Sequence, residues 1–171
     1  MNFDVIILTY NSEKKIRNIL DSLSKQILKP KNILVIDSSS KDKTVEIAKE
    51  YGCIVYVINK NDFDHGGTRT YAAGLSEADF LVYLTDDVVL KDEYSLKSLL
   101  SFFEDEKIGA VFGRQIPYEN TNIFGKHLRY FNYPEKDYIR TYSDKERYGI
   151  KTCFLSDSFC AYKKSAIKEV G

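Results

Sequence analysis

A chain of 171 residues is long enough for one domain with a single buried core. With 43% hydrophobic and 29% charged residues it is too apolar to remain disordered, so it is expected to fold. The 25 basic and 25 acidic side chains cancel, which excludes a global electrostatic bias towards nucleic acid or an anionic membrane and leaves any anion site to local structure.

Met1 to Asp4 lacks the basic start of a signal peptide, and no run reaches the roughly 20 apolar residues that span a bilayer. Cys53, Cys153 and Cys160 are odd in number, lack CxxC spacing and sit in apolar segments. Buried reduced thiols and a cytoplasmic location are therefore expected.

Asp4 to Leu8 is a nearly continuous apolar run, the pattern of a strand buried on both faces. Ile16, Ile19, Leu20 and Leu23 then recur at helical spacing and predict a helix of about four turns, with Asn11 or Ser12 available to cap it. Ile33 to Ile36 is a second strand, and Asp37 to Ser40 a turn ahead of a helix through Val45, Ala48 and Tyr51 that Gly52 stops. Cys53 to Ile58 is a third strand, Thr68 to Ala78 a helix after the glycine pair, and Phe80 to Leu84 a fourth strand. Leu96, Leu99, Leu100 and Phe103 mark another helix, and Ile108 to Phe112 another strand. From Phe124 to Tyr148 aromatic and charged residues mix without clear period, which reads as a long, partly ordered connection. Thr152 to Leu155 and Ser158 to Tyr162 read as strands, and Ser165 opens a last helix.

The βαβαβαβ alternation predicts a single α/β domain with a mostly parallel central sheet and helices on both faces. Open sheets of this kind bind ligands beyond the carboxyl ends of their strands. Thr9, Asn11, Asp37, the 59–69 loop and Thr85 to Asp87 all follow strands, so they should line one edge.

Asp37 can accept hydrogen bonds from a pyrimidine edge or from ribose hydroxyls, or cap the helix behind it, and local sequence leaves both open. The adjacent carboxylates Asp86 and Asp87 repel each other unless a cation or solvent compensates. Mg2+ or Mn2+ takes one or two carboxylates together with substrate phosphates, and a plain acidic turn is the other reading. The segment Asp62 to Arg69 joins two glycines to a helix start, where free N–H groups and the Arg69 charge suit an anion, although glycines before a helix also serve as ordinary loop punctuation. His65 in that loop has a structural reading beside the functional one. There is no glycine-rich nucleotide-hydrolase loop, no dinucleotide fingerprint and no zinc-protease helix.

In this order the segments resemble the family 2 glycosyltransferases, which have a nucleotide-sugar-binding GT-A fold. Val5 to Asn11 looks like the family's opening strand and turn, and Val35 to Thr44 is similar to its second motif, usually written VVDDGSTDGT. On that match Asp37 takes the place of the first aspartate, which contacts the nucleoside, and Ser38 replaces the second. Thr85-Asp86-Asp87 occupies the place of the DXD metal motif, with Asp87 as its last member. Phe63 to Ala73, Val111 to Pro117 and Phe131 to Pro134 look like the rhamnosyltransferase branch, whose metal motif also tends to begin with threonine.

The resemblance implies an inverting transfer from a nucleoside diphosphate sugar, dTDP-L-rhamnose, to a glycan or lipid-linked acceptor. It further implies peripheral association with the inner face of the membrane and no nucleic-acid partner. Asp87 would hold Mg2+ or Mn2+ and act on the leaving group, while Thr9, Asn11, Asp37, His65, Arg69, Asp86 and Arg114 would bind substrate. The family's base belongs to a Glu-Asp pair after a strand and helix resembling residues 158–171, so residues 1–171 are expected to be one domain cut short at its C-terminal end. Asp157 is the candidate base within the chain, with acceptor binding or a structural role as its other reading. Two alternatives are a non-catalytic nucleotide-sugar binding fragment and a sugar nucleotidyltransferase, although the glycine- and arginine-rich loop of the latter is absent after Leu8.

Overall fold

The computed structural model describes residues 1–170. Six strands form one sheet in the order β3-β2-β1-β4-β6-β5. The strands are β1 (Phe3–Thr9), β2 (Ile33–Asp37), β3 (Ile54–Val57), β4 (Phe80–Thr85), β5 (Ala110–Phe112) and β6 (Phe159–Lys163). The first four are parallel to one another, and β6 runs antiparallel between β4 and β5, so the mostly parallel α/β sheet is present.

Side chains alternate across the pleat, and the two faces collect different helices. Val5, Ile7, Val35, Val82 and Leu84 face α1 (Glu13–Ser24), α2 (Thr44–Glu50) and α4 (Ser95–Ser101), which contribute Ile16, Ile19, Leu20, Ile47, Leu96 and Leu100. Ile6, Leu34, Ile36, Leu81, Tyr83 and Cys160 face α3 (His65–Leu75) and α7 (Lys164–Val170) through Ala72, Ala73 and Ile167. Because β1 is covered on both sides, its run of apolar residues is continuous rather than alternating.

Several expectations need correction. The first helix has 12 residues, just over three turns, and the Ser12 hydroxyl goes to Asp86 instead of capping it. The helix after the glycine pair starts earlier, at His65, because the Asp64 carboxylate caps it by accepting from the N–H groups of Gly66 and Gly67 at 3.0 and 2.7 Å. Residues 124–148, expected to be a partly ordered connection, contain most of a regular helix, α5 (Ile123–Asn132), and the short α6 (Lys145–Tyr148). Thr152 to Leu155 is not a strand. Gly149 adopts a left-handed φ of 54°, a 3-10 turn runs over Gly149–Cys153, and the Phe154 ring packs on Phe112 and Tyr133 beside the sheet rather than within it. Cys53 and Cys160 are buried as expected, but Cys153 is exposed.

Candidate functional site

The strand register fixes the site. Thr9 pairs with Asp37 across β1 and β2, Leu8 pairs with Thr85 across β1 and β4, and Thr85 N–H donates to Ser158 carbonyl at 3.1 Å. The ends of β2, β1, β4 and β6 therefore form a row about 14 Å long, three interstrand spacings. Such a row can accommodate an extended ligand.

At the β1–β2 end, Asp37 is 0% exposed. Its carboxylate accepts from Thr9 Oγ1 at 2.9 Å, from Ser40 N at 2.8 Å and from Ser40 Oγ at 2.5 Å. It caps no helix: α2 begins seven residues on, where Asp42 accepts from Thr44 N at 3.0 Å. Asn11 and Ser39 hold left-handed φ values of 49° and 58°, which asparagine tolerates better than most residues. The bend lets Asn11 N donate to Ser40 Oγ at 2.8 Å while Asn11 Oδ1 accepts from Lys41 N at 2.9 Å. Thr9, Asn11 and Asp37 thus stitch the two strand-end loops together.

At the end of β4, Asp86 and Asp87 part company. Asp86 accepts from Ser12 Oγ and lies 3.6 Å from Lys15 Nζ, which compensates its charge. Asp87 is exposed, and its Oδ1 accepts from Thr85 Oγ1 at 2.7 Å, while Tyr118 hydroxyl donates to its carbonyl at 3.1 Å. Among the described residues no group of three or more His, Cys, Asp or Glu side chains gathers to hold a metal. One carboxylate oriented by a neighbouring hydroxyl still fits Mg2+ or Mn2+, whose shell is commonly completed by water and substrate phosphates.

The third group lies on the β4–β6 side. Arg69, mostly buried, donates from Nη1 to His65 carbonyl at 2.9 Å, approaches His65 Nδ1 at 3.5 Å and reaches Asp157 at 3.9 Å through Nη2. Tyr83 hydroxyl donates to Arg69 carbonyl at 2.9 Å; burial pushes its pKa up, so it stays a neutral donor. The Arg69 Nε is buried without a protein partner. His65 is exposed and meets the Phe63 ring edge-on, with centroids 5.0 Å apart. The first-turn N–H groups of α3 expected to face an anion are bonded to Asp64, so Arg69 is the cationic group this segment offers. Arg114 stands apart: it donates to Tyr133 carbonyl at 3.2 Å and pairs with Glu135 at 3.4 Å.

Sequence reading missed Tyr10, Ser12, Lys15, Ser40, Lys60 and Tyr118. Lys60 Nζ donates to the Tyr10 hydroxyl at 2.9 Å and sits 4.3 Å from the ring centre, and that hydrogen bond holds the phenol below the usual tyrosine range. Fifty residues separate the two, and no local pattern links them.

An open, mostly parallel sheet with polar side chains gathered at its strand ends defines an α/β protein whose ligand site lies at that edge. Residues 4–171 match the sequence profile described as glycosyl transferase family 2, and the chain belongs to that family. It is 41% identical to the O-antigen chain rhamnosyltransferase RfbN of Salmonella typhimurium and 38% identical to WbaN of Salmonella anatum. Each alignment takes in 99% of this chain and 55% of the relative, so the chain spans about half the length of the curated relatives it matches. Among solved structures, S. aureus TarS 1–349 in complex with UDP-GlcNAc is similar with a TM-score of 0.75 at 22% identity, over 99% of this chain and 47% of that one. The mannosyltransferase PcManGT from Pyrobaculum calidifontis, in complex with GDP-Man and Mn2+, gives 0.68 at 16% identity, over 99% and 46%. These likenesses show that the fold is GT-A. Among the described residues no helix is long and apolar enough to cross a membrane.

Proposed function

We propose that this chain forms the donor-binding part of an inverting glycosyltransferase that uses a nucleoside diphosphate sugar, dTDP-L-rhamnose, and a hydroxyl of a glycan or lipid-linked acceptor. The observation that carries this reading is the row of strand ends, with a closed polar network around Asp37 at one end and the open Asp87 carboxylate next to it. The rhamnosyltransferase relatives supply the sugar.

Asp37 acts as a positioning residue. Being buried, it holds Thr9 and Ser40 and so shapes the surface that the exposed Ser39 and Tyr10 present to the nucleoside. Asp87, oriented by Thr85, faces the diphosphate. Mg2+ or Mn2+, when bound there, would neutralise charge on the departing nucleoside diphosphate. Arg69, His65 and Asp157 form the acceptor-side wall, with Arg69 able to turn its fork from Asp157 towards phosphate. In the transfer, the acceptor oxygen bonds to the anomeric carbon as the bond to the diphosphate breaks, and the acceptor proton passes to a carboxylate.

Titration of dTDP-L-rhamnose into the chain with Mg2+ or Mn2+ present tests the reading. Saturable one-to-one binding supports it; the absence of binding to dTDP, UDP and GDP alike rejects it.

A further inference from the structure

A cavity of about 430 Å3 lies beside β5, the strand at one edge of the sheet, and its size is that of a small-molecule pocket. Phe112, Tyr138, Phe154, Asp137, Arg140 and Thr152 are in its wall. None of them belongs to the row of strand ends that forms the donor edge.

The rings are built on Phe112, which meets Tyr138 and Phe154 edge-on with centroids 6.1 and 5.8 Å apart. Edge-on packing does not cover ring faces, and Tyr138 and Phe154 are 37% and 43% exposed. The Arg140 guanidinium lies 4.3 Å from the centre of the Tyr138 ring and 5.2 Å from that of Tyr148, and its Nη1 donates to the Lys151 carbonyl. The fork is thereby held in place. Yet among the described residues neither Arg140 nor Asp137 is in an ion pair. Arg140 Nε and Thr152 Oγ1 are buried without a protein partner. Buried polar atoms rarely stay unpaired, and a small turn of either side chain into the cavity would bring the atom to a ligand there.

This combination selects among ligands. A free anion would meet Arg140, but also the carboxylates of Asp105 and Asp137, both in the wall. A purely apolar ligand would strip water from Arg140 and Asp137 and return no hydrogen bond. A pyranose meets both demands: its C–H face packs on an aromatic ring, and its hydroxyls accept from Arg140 and donate to Asp137. The cavity also adjoins the acceptor side of the site. Leu155 and Tyr133 line it, and Tyr133 donates to Ser156 Oγ at 3.0 Å, one residue before Asp157. We propose that the cavity is an accessory subsite for a neutral sugar unit of the acceptor glycan, away from the reacting hydroxyl. The proposal rests on the glycan-acceptor reading above for the source of that sugar.

The test is saturation-transfer NMR of the 171-residue chain with the methyl glycosides of L-rhamnose, D-mannose, D-galactose and D-glucose. The variants Y138S and R140Q accompany it, with circular dichroism to verify the fold, and so does D87A. At least one glycoside should receive magnetisation at its ring C–H protons, with affinity about tenfold lower in Y138S and in R140Q. D87A, and dTDP added with Mn2+, should leave that binding unchanged. Four outcomes overturn the proposal: no glycoside binds, both variants bind as the parent does, D87A or dTDP with Mn2+ abolishes binding, or inorganic phosphate displaces the glycoside. Titration of dTDP on the same samples keeps the two readings apart, since dTDP binding without glycoside binding rejects the subsite alone.

Discussion

The Thr9 hydroxyl donates to the Asp37 carboxylate over 2.9 Å where two parallel strands end, in a position closed to solvent. Each residue answers a need of the other: the buried carboxylate requires donors, and the hydroxyl requires an acceptor. Ser40 completes the arrangement through its N–H and its hydroxyl.

Replacing Asp37 by alanine leaves the Thr9 and Ser40 donors without that acceptor. The expected loss is about 2–3 kcal/mol of folding stability. Asp37→Asn, which keeps an acceptor oxygen, should lose less. Urea denaturation of both variants measures this; an Asp37→Ala protein as stable as the parent would mean that the network does not organise the edge.

The cap of α3 is a second local device. Asp64→Ala should cost about 1 kcal/mol. Gly67→Ala should cost no more than that, because a Cβ there would displace the Asp64 carboxylate from its cap while alanine favours the helix by up to about 1 kcal/mol. In the double variant the two costs should not add, and additive losses in thermal unfolding would show that the glycine and the carboxylate act separately.

Thr85 stands where a second acidic side chain would share the cation with Asp87. Thr85→Asp should raise affinity for Mn2+ by about two- to tenfold through the added charge, and Thr85→Val should lower it by freeing Asp87 to rotate. Calorimetric Mn2+ titration without nucleotide reads both, and identical affinities in all three proteins would detach Thr85 from the site.

The cysteines separate by environment. Burial pushes the Cys160 thiol up to about 12 and that of Cys53 up to about 11, from a usual value of 9.0, while Cys153 is exposed. Both buried groups keep their protons in the folded protein at pH values where the unfolded chain loses them. Their contribution to stability is therefore complete below pH 9.0 and declines as the pH rises towards those folded values. At pH 8 iodoacetamide should modify Cys153 rapidly and the other two only upon unfolding. Mass spectrometry of native and denatured samples checks the order, and rapid native labelling of Cys160 would contradict it.

The first half of the fold was legible because β1, β2 and β4 are apolar runs bounded by Thr9, Asp37 and Thr85, and α1 carries its apolar stripe at regular spacing. The region after Phe112 was not. The apolar stripe of α5 is broken by Tyr130 and His127 and covers no core, so it did not read as a helix. Thr152 to Leu155 has strand-like residues, but Phe154, still 43% exposed, packs on the Phe112 and Tyr133 rings beside the sheet, which residue type alone does not reveal. At the edge, the positions of Thr9, Asp37 and Asp87 followed from strand order. The Asp86 contacts with Ser12 and Lys15 and the Tyr10–Lys60 pair depend on loops distant in sequence meeting in space.

Asp87 and a divalent cation are proposed to hold the donor diphosphate. Calorimetric titration of dTDP into the chain and into Asp87→Ala, each with Mn2+ or with EDTA, tests it most directly. The expected result is Mn2+-dependent binding that Asp87→Ala weakens at least about tenfold, with affinity in EDTA unchanged by the substitution. Equal affinity of the two proteins in Mn2+ would show that Asp87 does not hold the cation.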